Sequence, residues 1–98
     1  MSEAAIERFL VEQVKGKGGY AFKWVSPGTA GVMDRLVLLP VLDAGHAEIV
    51  NRYVKLVELK DTGKKASPLQ VRLANRLGDL GYRVWVIDSK DLVREVLR

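Results

Sequence analysis

An acidic and a basic side chain stand at the end of an apolar segment, residues 54–60 (VKLVELK). Side chains alternate across a strand, so Glu58 and Lys60 share one face. Apolar residues on both faces predict a strand that is covered on both sides. Burying ionised groups is costly unless they are paired or coordinate a metal, so these two charges need a partner. Asp34, which starts an earlier predicted strand, is a candidate to supply it.

Asp34 and Glu58 are the predicted ligands of a divalent metal ion. The chain has no cysteine and one histidine, His46, which excludes thiolate and histidine-rich zinc sites. A metal must therefore be bound by oxygen, as Mg²⁺, Mn²⁺ or Ca²⁺ is, and the backbone carbonyl of Leu59 is a further predicted ligand. Lys60 would stabilise the nucleophile and the charge of the transition state. Together these residues predict metal-dependent hydrolysis of a phosphodiester bond.

The composition indicates one globular domain with a modestly basic surface. The chain has 98 residues, of which 48% are hydrophobic, so we expect residues 1–98 to form a single domain with one core. Lysine and arginine number 16 against 12 acidic residues, a balance compatible with nucleic acid and unfavourable for an acidic-protein role. The first residues do not resemble a signal peptide and no apolar run reaches membrane-spanning length, so we expect a soluble, cytoplasmic protein without membrane contact.

Helix and strand patterns alternate along the chain. Three predicted helices begin at serine N-caps: Ser2, Ser67 and Ser89. Four segments have the composition of strands: 20–25, 34–39, 54–60 and 82–87. Between Pro40 and Arg52 the pattern is weak, and we expect a long hairpin that leads into the segment 54–60. The order α-β-β-β-α-β-α predicts an α/β or α+β fold, in which helices pack around a small mixed sheet.

Four short motifs occur in order: residues 23–28 (KWVSPG), 31–35 (GVMDR), 57–60 (VELK) and 67–70 (SPLQ). Together they resemble the VRR-NUC (virus-type replication-repair nuclease) domain, a branch of the PD-(D/E)xK nuclease superfamily, over nearly the whole chain. The resemblance implies a restriction-endonuclease-like α-β-β-β-α-β core, here with an extra C-terminal helix. It also implies Mg²⁺- or Mn²⁺-dependent endonuclease cleavage of DNA, often at branched structures such as Holliday junctions. Small stand-alone members, typical of phages, are expected to act as homodimers.

The resemblance implies a catalytic set of four residues: Asp34, Glu58, Lys60 and Gln70. An acid in the first helix completes the family's metal site. Glu3 fits the family's spacing, whereas Glu7 lies on the same helical face one turn later, and the sequence leaves both open. Each assignment competes with a structural explanation, because Glu3 is favoured at a helix start by the helix dipole and Gln70 is the capping-box partner of Ser67.

Eight residues are predicted to contact DNA: Ser26, Gly28, Thr29, Arg35, Lys64, Lys65, Arg72 and Arg76. Backbone amides and hydroxyl groups of the loop at 26–29 can bind a phosphate. The cations after the predicted active strand and on the following helix together make a track for the DNA backbone. We expect Trp24 and Trp85 to lie in the core, and His46 to be an exposed turn residue.

Two departures from the family's pattern suggest alternatives. Met33 replaces the proline that usually precedes the metal-binding aspartate, and the segment between Asp34 and Glu58 is long. The extra residues, 42–52, could form a dimer contact, a flap over DNA or a disordered tip. The main rival to an active nuclease is a DNA-binding module on the same fold with impaired catalysis. A third possibility is a subunit that needs a partner protein to supply DNA binding.

Overall fold

The computed structural model of the protein describes residues 1–25 and 27–98. The described residues form a mixed α/β structure with antiparallel and parallel strand pairs, which confirms the predicted α/β class. The elements in chain order are α1 (Glu3–Gly16), β1 (Tyr20–Lys23), β2 (Arg35–Leu38), α2 (Ala44–Tyr53), β3 (Leu56–Leu59), α3 (Pro68–Asp79), β4 (Val84–Ile87) and α4 (Lys90–Val96). None of these helices is long and apolar enough to cross a membrane. The chain divides into two compact units, Met1–Pro40 and Val41–Arg98.

Unit 1 consists of α1 and an antiparallel β hairpin. The Ser2 hydroxyl accepts a hydrogen bond from the N–H of Ala5 at 3.1 Å, so the predicted N-cap begins α1. β1 and β2 pair so that Tyr20 lies opposite Leu38 and Lys23 lies opposite Arg35, and α1 packs against β1. The buried apolar residues of this unit are Val14 and Leu38.

Unit 2 is a parallel strand pair with helices packed against it. β3 and β4 pair from Leu56 opposite Val84 to Leu59 opposite Ile87, and α3 and α4 both contact β4. Apolar burial in this unit comes from four residues: Leu77, Tyr82, Ile87 and Val96. Parallel strands need a crossover connection between them, and α3 supplies it.

The turn that closes α3 depends on a glycine. Gly81 has a φ of +99°, a conformation that L side chains rarely adopt. A Cβ there would also collide with the carbonyl oxygen of Val41. The N–H of Tyr82 returns to the carbonyl of Leu77 at 2.9 Å and completes the helix end.

The predicted hairpin between Pro40 and Arg52 is wrong, because residues 44–53 form the helix α2. Asp43 caps it by accepting a hydrogen bond from the N–H of His46 at 2.9 Å. His46 is exposed, as expected, and it lies in the first turn of this helix. The Asn51 side chain donates to the carbonyl of Gly81 at 2.9 Å, so α2 is attached to the turn after α3.

Two burial predictions are also wrong. β3 is not covered on both sides, because Val57 is 44% and Leu59 is 71% exposed. Trp24 is 44% exposed and lies outside the core. Trp85 is partly buried, and the guanidinium carbon of Arg83 stacks 3.8 Å from its ring centroid.

Candidate active site

Three of the predicted catalytic residues meet in unit 2. Glu58 lies in β3, Lys60 directly follows that strand, and Gln70 lies in the first turn of α3. The Gln70 Nε2 donates to Oε1 of Glu58 at 2.7 Å. The Lys60 Nζ lies 3.5 Å from the same oxygen. Side-chain exposures of 36% for Glu58 and 23% for Lys60 make the pair half-buried and reachable by a ligand.

The orientation of Gln70 is set by the start of α3. The N–H of Ser67 donates to the Gln70 Oε1 at 2.9 Å, and the N–H of Gln70 donates to the Ser67 hydroxyl at 3.2 Å. This is the predicted capping box. Because the cap occupies the amide oxygen of Gln70, its NH₂ group is directed at Glu58. The Gln70 side chain therefore contacts both the helix cap and Glu58.

The contacts on Glu58 all end on one oxygen. Among the described residues, no hydrogen bond or ion pair reaches its Oε2. A carboxylate held in this way can offer its second oxygen to a cation. The backbone of Lys60 is also held, since its N–H donates to the carbonyl of Ile87 at 3.0 Å and extends the β3–β4 ladder by one residue.

The predicted carboxylate ligands other than Glu58 lie in unit 1, around a cavity of about 320 Å³. Its lining residues are Glu3, Ala4, Glu7, Lys23 and Asp34. Asp34 directly precedes β2 and is exposed. Its carbonyl accepts a hydrogen bond from the N–H of Trp24 at 3.0 Å, which fixes the backbone of the aspartate beside the end of β1.

The two candidate acids of α1 differ in their partners. The Glu7 Oε2 lies 3.3 Å from the Nε of Arg35. The Arg35 Nη1 also donates to the carbonyl of Ala21 at 3.1 Å, so Glu7 faces a fixed cation. Among the described residues, Glu3 has no ion pair. Of the two, Glu3 is the carboxylate whose charge is not paired within the described part of the chain.

These residues fit a magnesium ion that is completed by water and phosphate. Within residues 1–25 and 27–98, no group of three or more acidic, histidine or cysteine side chains is arranged to hold a metal. Mg²⁺ usually keeps several waters and is bound through one or two carboxylates plus substrate phosphates. Glu3 and Asp34 border one cavity and provide such a pair of hard oxygen donors.

The residues predicted to contact DNA fall into three groups. Ser26 lies outside the described residues. Arg35 is held by Glu7 and Ala21, and its side chain is 22% exposed. The others are exposed: Gly28, Thr29, Lys64, Lys65, Arg72 and Arg76.

Two residues of these sites were missed at the sequence level. Lys23 borders the carboxylate cavity. Only the strand register indicates its position, because the pairing of β1 and β2 places Lys23 opposite Arg35, the residue after Asp34. Asp88 holds the loop that carries the lysines, since its Oδ2 accepts from the N–H of Gly63 at 3.1 Å and its carbonyl accepts from the Thr62 hydroxyl at 3.0 Å. These contacts span about 25 residues of sequence, so local spacing does not reveal them.

Comparison with known proteins gives two similar chains. The first is "Putative nuclease p44" of Acyrthosiphon pisum secondary endosymbiont phage 1, which is 46% identical over 90 residues, covering 92% of this chain and 86% of that protein. The second is a solved structure described as "VRR_NUC domain", with 27% identity and a TM-score of 0.43, covering 97% of this chain and 92% of that chain. No family model matches the chain.

The class of the protein follows from its 46% identity to "Putative nuclease p44" over 92% of the chain: it is a nuclease. The chain belongs to the same family as this phage protein, and its four motifs resemble those of the VRR-NUC domain.

Proposed function

We propose that this protein is a Mg²⁺- or Mn²⁺-dependent endonuclease that hydrolyses phosphodiester bonds of branched DNA, such as Holliday junctions, in replication, recombination or repair. The observation that carries the proposal is the contact of Gln70 and Lys60 with one oxygen of Glu58. A carboxylate with one oxygen held and a cation beside it suits metal-assisted phosphoryl chemistry.

The proposed metal ligands are Asp34, Glu58 and the backbone carbonyl of Leu59. The assignment of Asp34 and Glu58 to one ion rests on the order of the motifs in the sequence. Glu3 is proposed in preference to Glu7 as the ligand from α1, because Arg35 already compensates the charge of Glu7. When bound, the ion would orient and acidify a water molecule and offset the charge of the scissile phosphate.

Lys60 and Gln70 have different proposed roles. Lys60 would stabilise the nucleophile and the developing negative charge, so its loss should affect the chemical step more than DNA binding. Gln70 would hold Glu58 in one orientation, because its NH₂ group occupies Oε1 and leaves Oε2 for the ion. This division predicts that Gln70 affects metal affinity as well as rate.

DNA would be held through its phosphates. The proposed contacts are Ser26 and the exposed residues of the predicted set, which are Gly28, Thr29, Lys64, Lys65, Arg72 and Arg76. The loop that carries Lys64 and Lys65 is held by Asp88, which lowers the entropy lost on binding. Arg35 stays a prediction for DNA contact, while its bonds to Glu7 and Ala21 support a role in holding unit 1 together.

We further propose that residues 1–98 act as one nuclease domain and that two copies form a homodimer. Two symmetric cuts at a junction need two active sites, which a twofold dimer supplies. The proposed location is the cytoplasm of a bacterial or phage-infected cell, where such DNA substrates occur. Light scattering during gel filtration measures the mass, and a monomer with no DNA affinity would instead favour a subunit that needs a partner protein.

The deciding experiment is cleavage of a four-way junction, a flap, a duplex and a single strand, each with and without Mg²⁺ or Mn²⁺. Glu58→Ala should abolish cutting. Glu95→Ala, which removes an exposed carboxylate from α4, is the matched control and should cut like the wild type. Tight DNA binding in Ca²⁺ without cutting of any substrate would replace the nuclease proposal by the DNA-binding module with impaired catalysis.

A further inference from the structure

A lysine lies among the carboxylates of unit 1. Lys23 is the last residue of β1 and borders the same cavity as Glu3, Glu7 and Asp34. Three acidic side chains and one lysine therefore share this surface. A cation in such a place either neutralises the carboxylates for stability or binds an anion that arrives with a metal ion. The contacts of the neighbouring residues distinguish these two roles.

Neutralisation within this cluster is carried out by Arg35. Its Nε lies 3.3 Å from the Glu7 Oε2, and its Nη1 bonds the carbonyl of Ala21. Among the described residues, Lys23 has no ion pair with a carboxylate within 4.0 Å. The Lys23 side chain is exposed. Lys23 borders the same cavity as these acids and has no ion pair with them among the described residues, so its ammonium group remains available to an anionic ligand.

The backbone places Lys23 beside the proposed metal-binding aspartate. The residue that follows it, Trp24, donates its N–H to the carbonyl of Asp34 at 3.0 Å. Lys23 itself lies opposite Arg35, the residue after Asp34, in the β1–β2 register. The attachment point of the lysine is therefore fixed relative to the aspartate, while its flexible four-carbon side chain can adapt to a ligand.

We propose that Lys23 binds a non-bridging oxygen of the DNA phosphate that lies next to the metal ion held by Asp34. This inference rests on the proposed nuclease function. An ammonium group offers three hydrogen-bond donors and a compact charge, which suits a phosphate oxygen. Lys23 donates to the substrate and transfers no proton. It is a substrate-binding residue that complements Lys60, which directly follows β3 and pairs with Glu58.

The test compares Lys23→Gln with Lys17→Gln. Lys17 is an exposed residue of the same unit that does not border the cavity, so the two variants lose the same charge. In Ca²⁺, the slope of log K against log[salt] for junction DNA should become shallower by about 0.9 in Lys23→Gln. The slope of Lys17→Gln should equal that of the wild type. In Mg²⁺, kcat/KM of Lys23→Gln should fall by roughly 10- to 100-fold, as expected for loss of one charge-assisted hydrogen bond.

A conservative variant and a stability measurement complete the test. Lys23→Arg should keep the wild-type salt slope and most of the cleavage. The proposal is overturned if Lys23→Gln matches Lys17→Gln in slope and rate, or if it lowers the melting temperature without changing the slope, as a structural neutraliser would. Wild-type protein that binds DNA in Ca²⁺ but never cuts would refute the nuclease function instead, and the salt slope would still decide the role of Lys23.

Discussion

Gln70 donates a 2.7 Å hydrogen bond from its Nε2 to Oε1 of Glu58. The other end of the same amide accepts a hydrogen bond from the N–H of Ser67 at 2.9 Å. Turning the amide over would place an oxygen against the carboxylate and an NH₂ group against an N–H donor, so only one orientation satisfies both partners. The residue that caps α3 thus also orients the proposed metal-binding carboxylate.

Gln70→Glu separates these two roles. A glutamate at this position still accepts a hydrogen bond from the Ser67 N–H, so the capping box persists. It loses the donor that orients Glu58, so we expect a roughly 10- to 100-fold fall in cleavage, whereas the added negative charge attracts a cation and should keep or raise Mn²⁺ affinity. Isothermal titration calorimetry with Mn²⁺ and a cleavage assay measure the two effects. Unchanged cleavage in this variant would mean that Gln70 has only a capping role.

Ser67→Ala tests whether the cap reaches the site. Loss of a serine N-cap should lower the free energy of unfolding by about 1 kcal/mol. Ser89→Ala is the matched control, because the Ser89 hydroxyl accepts from the N–H of Leu92 at 3.1 Å and caps α4. We expect both variants to lose similar stability in urea unfolding, whereas only Ser67→Ala should lower cleavage, because it removes the hydroxyl that accepts from the Gln70 N–H at 3.2 Å and so loosens the start of α3. Equal cleavage by the two variants would show that the cap of α3 has no effect on catalysis.

Glu3→Gln and Glu7→Gln distinguish the two acids of α1. Glu3→Gln should weaken Mn²⁺ binding, since it removes a proposed ligand and breaks no ion pair of the described residues. Glu7→Gln should leave Mn²⁺ affinity unchanged and lower the free energy of unfolding by at most about 1 kcal/mol, because its ion pair with Arg35 is partly exposed. Titration calorimetry and urea unfolding measure the two quantities. The reverse pattern of metal affinities would assign the ligand to Glu7.

Lys60→Ala and Asp34→Ala should both lose cleavage activity, but for different reasons. Lys60→Ala should retain Mn²⁺ and DNA binding but cut about 10²- to 10³-fold more slowly, because the lysine acts where charge develops. Asp34→Ala should lose metal affinity together with cleavage. Single-turnover cleavage at saturating metal, combined with a DNA shift in Ca²⁺, separates the two defects. Full activity in both variants would refute the site assignment.

The features that the sequence predicted well depend on local chemistry. The serine caps of α1, α3 and α4 need only a few neighbouring residues. Although the charge pattern named Asp34 as the candidate partner of Glu58, the place of Gln70 in the site was implied by the family resemblance. The partner of Glu7 was not predictable, since Arg35 is 28 residues away and is brought to it only by the packing of α1 on β1.

The helix α2 was missed for the same kind of reason. Asp43 and Gly45 are turn formers, and they favoured a hairpin over the short helix that Asp43 caps. The helix is also supported from a distance. Asn51 donates to the carbonyl of Gly81, 30 residues away, and its Oδ1 accepts from the N–H of Arg83, 32 residues away. No pattern within residues 40–53 contains that information, and the contacts argue against a disordered tip.

Asn51→Ala is therefore expected to destabilise the attachment of α2. The substitution leaves the part-buried carbonyl of Gly81 without its donor and the N–H of Arg83 without its acceptor. We expect the free energy of unfolding to fall by about 1–3 kcal/mol. Asn75→Ala, which changes an exposed asparagine of α3, is the matched control and should change stability little. Urea unfolding measures the stabilities, and hydrogen exchange of the α2 amides shows whether the loss is local. Equal stability of the two variants would mean that α2 is held by its apolar contacts rather than by Asn51.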